Sequence, residues 1–180
     1  MRVTIEESSL GFSDHHRESL AQGEEEDWKG AKSNLTSQSD PQLKVIFGAI
    51  QQLETGRLIS FLKNMELSKV LELLDSFDEN GYTLIHSACY YNSFKICDFL
   101  VKFFKERLTV HFKKSLDSEP ADTFKERVIS NVSEKLKTFV NVRQRGDEGF
   151  MALHFASYHG NPKMLKLLVQ CGADIRAKNL

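Results

Sequence analysis

A chain that repeats itself has few folds open to it, and this one does. Residues 78–102, DENGYTLIHSACYYNSFKICDFLVK, align without a gap on residues 146–170, GDEGFMALHFASYHGNPKMLKLLVQ. Gly81 falls on Gly149, His86 on His154, Ala88 on Ala156, Asn92 on Gly160 and Leu100 on Leu168, at an offset of 68 (149 less 81). That offset is close to two periods of about 33 residues, the length of a helix-turn-helix repeat unit. A glycine before each unit permits φ > 0 at a turn. Leu153, Ala156, Leu165, Leu167 and Leu168 recur at helical spacing, and the small Ala156 lets two short helices approach. One such unit cannot bury its apolar face alone, so neighbours must stack.

The rest of the chain reads as helix as well. LKVIFGAIQQL places Val45, Ile46, Ala49, Ile50 and Leu53 on one helical face, and RLISFLKNMELSKVLELL supplies a second helical stretch. Two longer apolar series run from Cys97 to Phe112 and from Phe124 to Phe139, separated by LDSEPAD with Pro120. Strand-length alternation is absent, and the expected class is all-α. Residues 1–40 differ: nine acids, four bases and no sustained periodicity bury too little apolar surface to offset ordering entropy. They are expected to be a disordered acidic tail, with Trp28 its one sizeable apolar group.

The second copy continues into CGADIRAKN, and the run 147–179 closely resembles the ankyrin repeat, with a fair resemblance over 78–104. The resemblance implies an ankyrin stack over 43–180, in which 43–76 is a degenerate capping repeat. Residues 105–145 are then either a degenerate third repeat or an inserted helical hairpin; their helix lengths favour the insertion. Departures from the pattern are Met151 where Thr83 provides an N-cap in the first copy, and Arg176 for the usual Asn. NVRQRGDEG carries two residues more than the usual hairpin, which predicts a wider loop. The hairpin insertion together with GFMALHFASYHGN is also similar, less specifically, to the N-terminal ankyrin regions of some protist DHHC-type palmitoyltransferases. GADIRAKNL stops where a further repeat would start, which keeps open a rival to a free-standing module: the regulatory or substrate-recruiting ankyrin part of a larger membrane DHHC-type S-acyltransferase whose catalytic region is not in this chain.

The resemblance implies that His86 and His154 tie hairpin turns together. His154 and His159 are five apart, which does not align on one helical face as metal-binding pairs four apart do, so no metal is expected. Cys89 lies three residues from His86 at a buried packing position, where a thiol is inert. Asp14-His15-His16 is followed by Arg17 and has no cysteine-rich surroundings, so it is not a catalytic motif. No phosphate-binding loop, dinucleotide fingerprint or nucleophile elbow occurs. The chain is expected to be non-enzymatic and free of cofactors.

Net charge is −1, without the basic excess of nucleic-acid binders, and no apolar run reaches the roughly 18 residues of a membrane span. Three cysteines without a CxxC pair point to a reducing, intracellular and cytoplasmic setting. VKFFKERLTVHFKKSL is basic and amphipathic; a solvated face over a packed stripe is the expected reading, a membrane-surface or calmodulin-target helix the alternative. What remains is binding to another protein, as scaffold or adaptor. Carried over by resemblance, the recognition positions are Glu79, Asn80, Tyr82, Tyr90 and Tyr91 in the first copy. In the second they are Asp147, Glu148, Phe150, Tyr158 and His159. The rings are expected to be free of core duty.

Overall fold

A computed structural model describes residues 40–116 and 121–179. The tail, Trp28 and the DHH triplet lie outside the described residues, except Asp40. That residue belongs to the folded part: its carboxylate accepts from Gln42 N–H at 2.9 Å and caps the first helix, the usual role of Asp at this position.

Eight α-helices follow, and no strand occurs among the described residues. They are α1 (Pro41–Gln51), α2 (Thr55–Lys63), α3 (Leu67–Glu72), α4 (Leu84–Tyr90), α5 (Phe94–Ser115), α6 (Ala121–Asn141), α7 (Ala152–Tyr158) and α8 (Pro162–Gln170). A 3-10 turn, Leu73–Asp75, extends α3. The second helical stretch, residues 57–74, is divided between α2 and α3. Arg107 of α5 donates to the Lys63 carbonyl at 3.1 Å and closes α2 there. The chain then turns so that Val70, Leu73 and Leu74 bury towards α5, a tertiary demand that local propensity does not announce.

The same helix stop closes α1, α4 and α7, and it recurs at Gly172 after α8. After α1, Leu53 N–H bonds to Ile50 O and Glu54 N–H to Ala49 O. After α4, Asn92 N–H bonds to Cys89 O and Ser93 N–H to Ala88 O; after α7, Gly160 N–H bonds to Ser157 O and Asn161 N–H to Ala156 O. Leu53, Asn92 and Gly160 all have positive φ, at 58°, 51° and 59°. This paired closure around a left-handed residue ends a helix and reverses the chain.

The two sequence copies stack directly on each other: α4 lies on α7 and α5 on α8, while α1 covers the other side of α4. Arg145 N–H donates to Gly81 O at 2.9 Å and joins the two hairpin loops. The second loop is wider. Its closing bond runs from Gln144 N–H to Phe150 O, against Asp78 N–H to Tyr82 O in the first. Helix α5 continues beyond the repeat to Ser115, and α6 returns along it and against α7. Phe104 and Phe139 meet between them with centroids 5.0 Å apart, and Leu108 and Leu136 are buried. The apolar stripe of the basic helix is therefore used in packing, which leaves Lys102, Lys105, Lys113 and Lys114 as its solvated face.

Candidate protein-binding face

Two histidines fix the hairpins to the helices. Thr83 N–H donates to His86 Nδ1 at 3.2 Å, with Thr83 Oγ1 2.8 Å from the same nitrogen. An imidazole nitrogen that accepts from a backbone N–H carries no proton, so the ring hydrogen sits on Nε2. His86 Nε2–H then donates to Phe150 O of the next hairpin at 3.1 Å. His154 repeats the device: Met151 N–H donates to its Nδ1 at 2.9 Å, and Nε2 donates to Ala177 O at 3.0 Å. The missing Thr in the second copy therefore leaves the Met151 N–H bonded. Burial holds His86 neutral and pushes its pKa down to about 4, a shift the hydrogen bond to Phe150 only partly offsets.

Above these staples the aromatic residues form one cluster with Phe155 at its hub. Phe155 lies edge-on to Tyr82 at 5.5 Å, to Tyr90 at 5.7 Å and to His86 at 6.1 Å, and it meets Phe150 at 5.6 Å. Tyr82 stacks on Tyr90 at 5.5 Å, and Tyr91 stands perpendicular to Tyr90 at 5.0 Å. Edge and offset contacts of this kind stabilise beyond area burial by about 0.5–1.5 kcal/mol each.

The expected recognition residues therefore divide. Tyr82 is only 9% exposed and belongs to the core; burial, then neighbouring Tyr90 and Asp78, push its hydroxyl up to about 12. Its expected freedom from core duty is corrected: the side chain fills the seam between α4 and α7. Tyr90, Tyr91 and Phe150 are half-buried against the core, so they too carry packing. His159 is half-buried, and its Nε2 donates to Tyr90 O at 2.8 Å, tying the second copy to the first. Glu79, Asn80, Asp147 and Glu148 are exposed at the hairpin tips, and Tyr158 is 62% exposed. Sequence reasoning gave Phe155 no role, although it aligns on Ser87, and that exchange of a hydroxyl for a ring was the available signal. Cys89 is fully buried, and the Cys97 thiol beside it, together with burial, raises its pKa well above the usual thiol range.

Family comparison matches residues 148–180 to the ankyrin repeat and residues 80–108 to a second ankyrin-repeat pattern. The two segments are ankyrin repeats. The matched stretches are those that stack here as α4–α5 and α7–α8. Nothing in the comparison supports the palmitoyltransferase resemblance, and no curated protein matches the chain. Ankyrin repeats generally mediate binding between proteins. Among the described residues no helix is long and apolar enough to cross a membrane. None of their His, Cys, Asp and Glu side chains group in threes that could hold a metal ion.

Proposed function

We propose that this chain is a protein-binding module, acting as scaffold or adaptor through the face that carries the hairpin tips and the first helices of its repeats. The observation that carries the reading is the aromatic run that begins at Tyr158, 62% exposed at the end of α7, and passes through His159, edge-on to it at 5.3 Å, to Tyr90, whose carbonyl His159 bonds. Tyr91 and Phe150, both half-buried, belong to the same ring cluster, and Glu79, Asn80, Asp147 and Glu148 are exposed at the hairpin tips. An aromatic centre with a polar rim is the composition of interface hot spots. The partner is another protein, and the buried, unpaired thiols of Cys89 and Cys97 support a reducing intracellular setting for the encounter.

Capture of partners on the immobilised chain tests this with two substitutions. Tyr158→Ala removes a mostly exposed ring, so it should weaken capture by about 2 kcal/mol or more while lowering the melting temperature less than Tyr82→Ala does. Tyr82→Ala should lower the melting temperature. Capture that survives Tyr158→Ala would count against the proposed face.

A further inference from the structure

The helices α1, α4 and α7 end alike but differ one turn and a half earlier, and the difference leaves a site that the repeats themselves do not have. His86 lies six residues before Asn92, and His154 six before Gly160; the residue six before Leu53 is Phe47. The Phe47 ring has no N–H to donate to the next hairpin, so Tyr82 O keeps only its closing bond from Asp78 N–H, whereas the equivalent Phe150 O accepts from both Gln144 N–H and His86. The staple between helix and hairpin is missing at this one place. A cleft of about 270 Å³ remains open there between α1 and residues 77–80.

Its floor is apolar, made by Leu43, Phe47 and Phe77, with Gly48 leaving open space above the helix. Its polar groups are the amides of Gln51 and Asn80, the Lys44–Glu79 pair at 3.8 Å, and Asp78. Lys44 and Glu79 are both well exposed at the rim. Asp78 has no cation within ion-pairing distance among the described residues. Its carboxylate accepts from the backbone N–H groups of Asn80 and Tyr82, at 2.9 and 2.8 Å, and from the Asn80 side chain, and burial raises its pKa. A half-buried carboxylate without a counter-charge beside aromatic carbon favours a cation with a flat, weakly hydrated head. The chain itself shows the pairing, since the Arg145 guanidinium lies 4.0 Å from the Phe77 ring centroid.

We propose that this cleft receives an arginine side chain presented by the bound protein, its stem along Leu43 and Phe47 and its guanidinium against Asp78. The inference rests on the protein-binding reading and adds to it the chemistry of the partner: a segment bearing arginine. The choice of arginine over lysine follows from geometry, since a planar fork can bond Asp78 and the neighbouring amides together while lying on a ring.

The test titrates the isotope-labelled full chain with the peptide acetyl-Ala-Arg-Leu-Ala-amide, and in parallel with the peptide carrying citrulline, its uncharged isostere, at the second position. Amide shifts should concentrate at residues 43–51 and 77–80, and the citrulline peptide should bind roughly tenfold more weakly, as loss of a charge-assisted bond requires. Asp78→Asn keeps the side-chain acceptor of the turn and removes the charge, so it should erase the difference between the two peptides. Gly48→Leu fills the cleft at a position where a Cβ meets nothing within 4 Å and should abolish both titrations with the fold intact. Equal affinities for the two peptides, shifts centred on Tyr158 instead, or no shift with either peptide would overturn the inference. Those outcomes leave the wider reading to the Tyr158 capture experiment, which does not involve this cleft.

Discussion

Gly81→Ala and Gly160→Ala share a backbone problem and differ in their surroundings, which makes the pair a sharp probe of how the two repeats are joined. Both glycines have positive φ, 75° at Gly81 and 59° at Gly160. An L side chain in that region costs about 1–2 kcal/mol, partly offset by about 0.4–1 kcal/mol from the stiffer unfolded chain. For Gly160, where a Cβ meets nothing within 4 Å, that is the whole effect, about 1 kcal/mol. At Gly81 the added Cβ would overlap Arg145 O and lie 2.8 Å from Arg145 Cβ. The second hairpin must withdraw, and the Arg145 N–H to Gly81 O bond, 2.9 Å long, goes with it. An unpaired buried polar group adds about 1–3 kcal/mol, for a total near 3 kcal/mol. At about 3 °C per kcal/mol for a domain of this size, thermal melts followed by circular dichroism should place Gly81→Ala about 10 °C below the parent and Gly160→Ala about 3 °C below. Equal shifts in the two variants would refute direct stacking of the hairpins.

The remaining predictions concern the histidine staple and the first turn. His86 has a folded pKa of about 4 against about 6.5 for an unfolded histidine. Above pH 6.5 neither state binds the proton. As pH falls from 6.5 to 4 the unfolded chain takes a proton that the native ring refuses, so stability should drop by about 3 kcal/mol over that window. Urea titrations of the parent and of His86→Gln at several pH values check this: the variant starts less stable near neutrality and lacks that part of the acid slope. Leu53 holds φ 58° while 51% exposed, so Leu53→Gly should raise stability by about 0.5–1 kcal/mol through relief of strain. An unchanged or lower urea midpoint in Leu53→Gly would count against that strain.

Much of this organisation is legible in the residues, and what is not has physical causes. Repetition of Gly81, His86 and Ala88 at 149, 154 and 156 announces the stacked helix pairs, because each residue serves a local need of the turn or of close helix approach. The two long series from Cys97 and Phe124 likewise announce α5 and α6. The break after Lys63 is not legible, since it depends on Arg107 reaching back from α5. Nor is the burial of Tyr82. At a position that repeat alignment leaves open, the seam is closed by Phe155, which has only a serine as counterpart in the first copy. A face whose packing varies from copy to copy cannot be sorted into core and contact residues by alignment alone. The substitution of Phe47 for the staple histidine is visible only once the three turns at Leu53, Asn92 and Gly160 are superimposed.

Photo-cross-linking from within the proposed face tests the central claim most directly. A benzoylphenylalanine replaces Tyr158 in one protein and Ile129 in another, the latter 69% exposed on α6. Both proteins are expressed in cells and irradiated. Recognition through the repeat face predicts a discrete protein adduct from position 158 that is missing from position 129. Adducts from 129 without any from 158 would contradict it and move the binding surface to the α5–α6 hairpin.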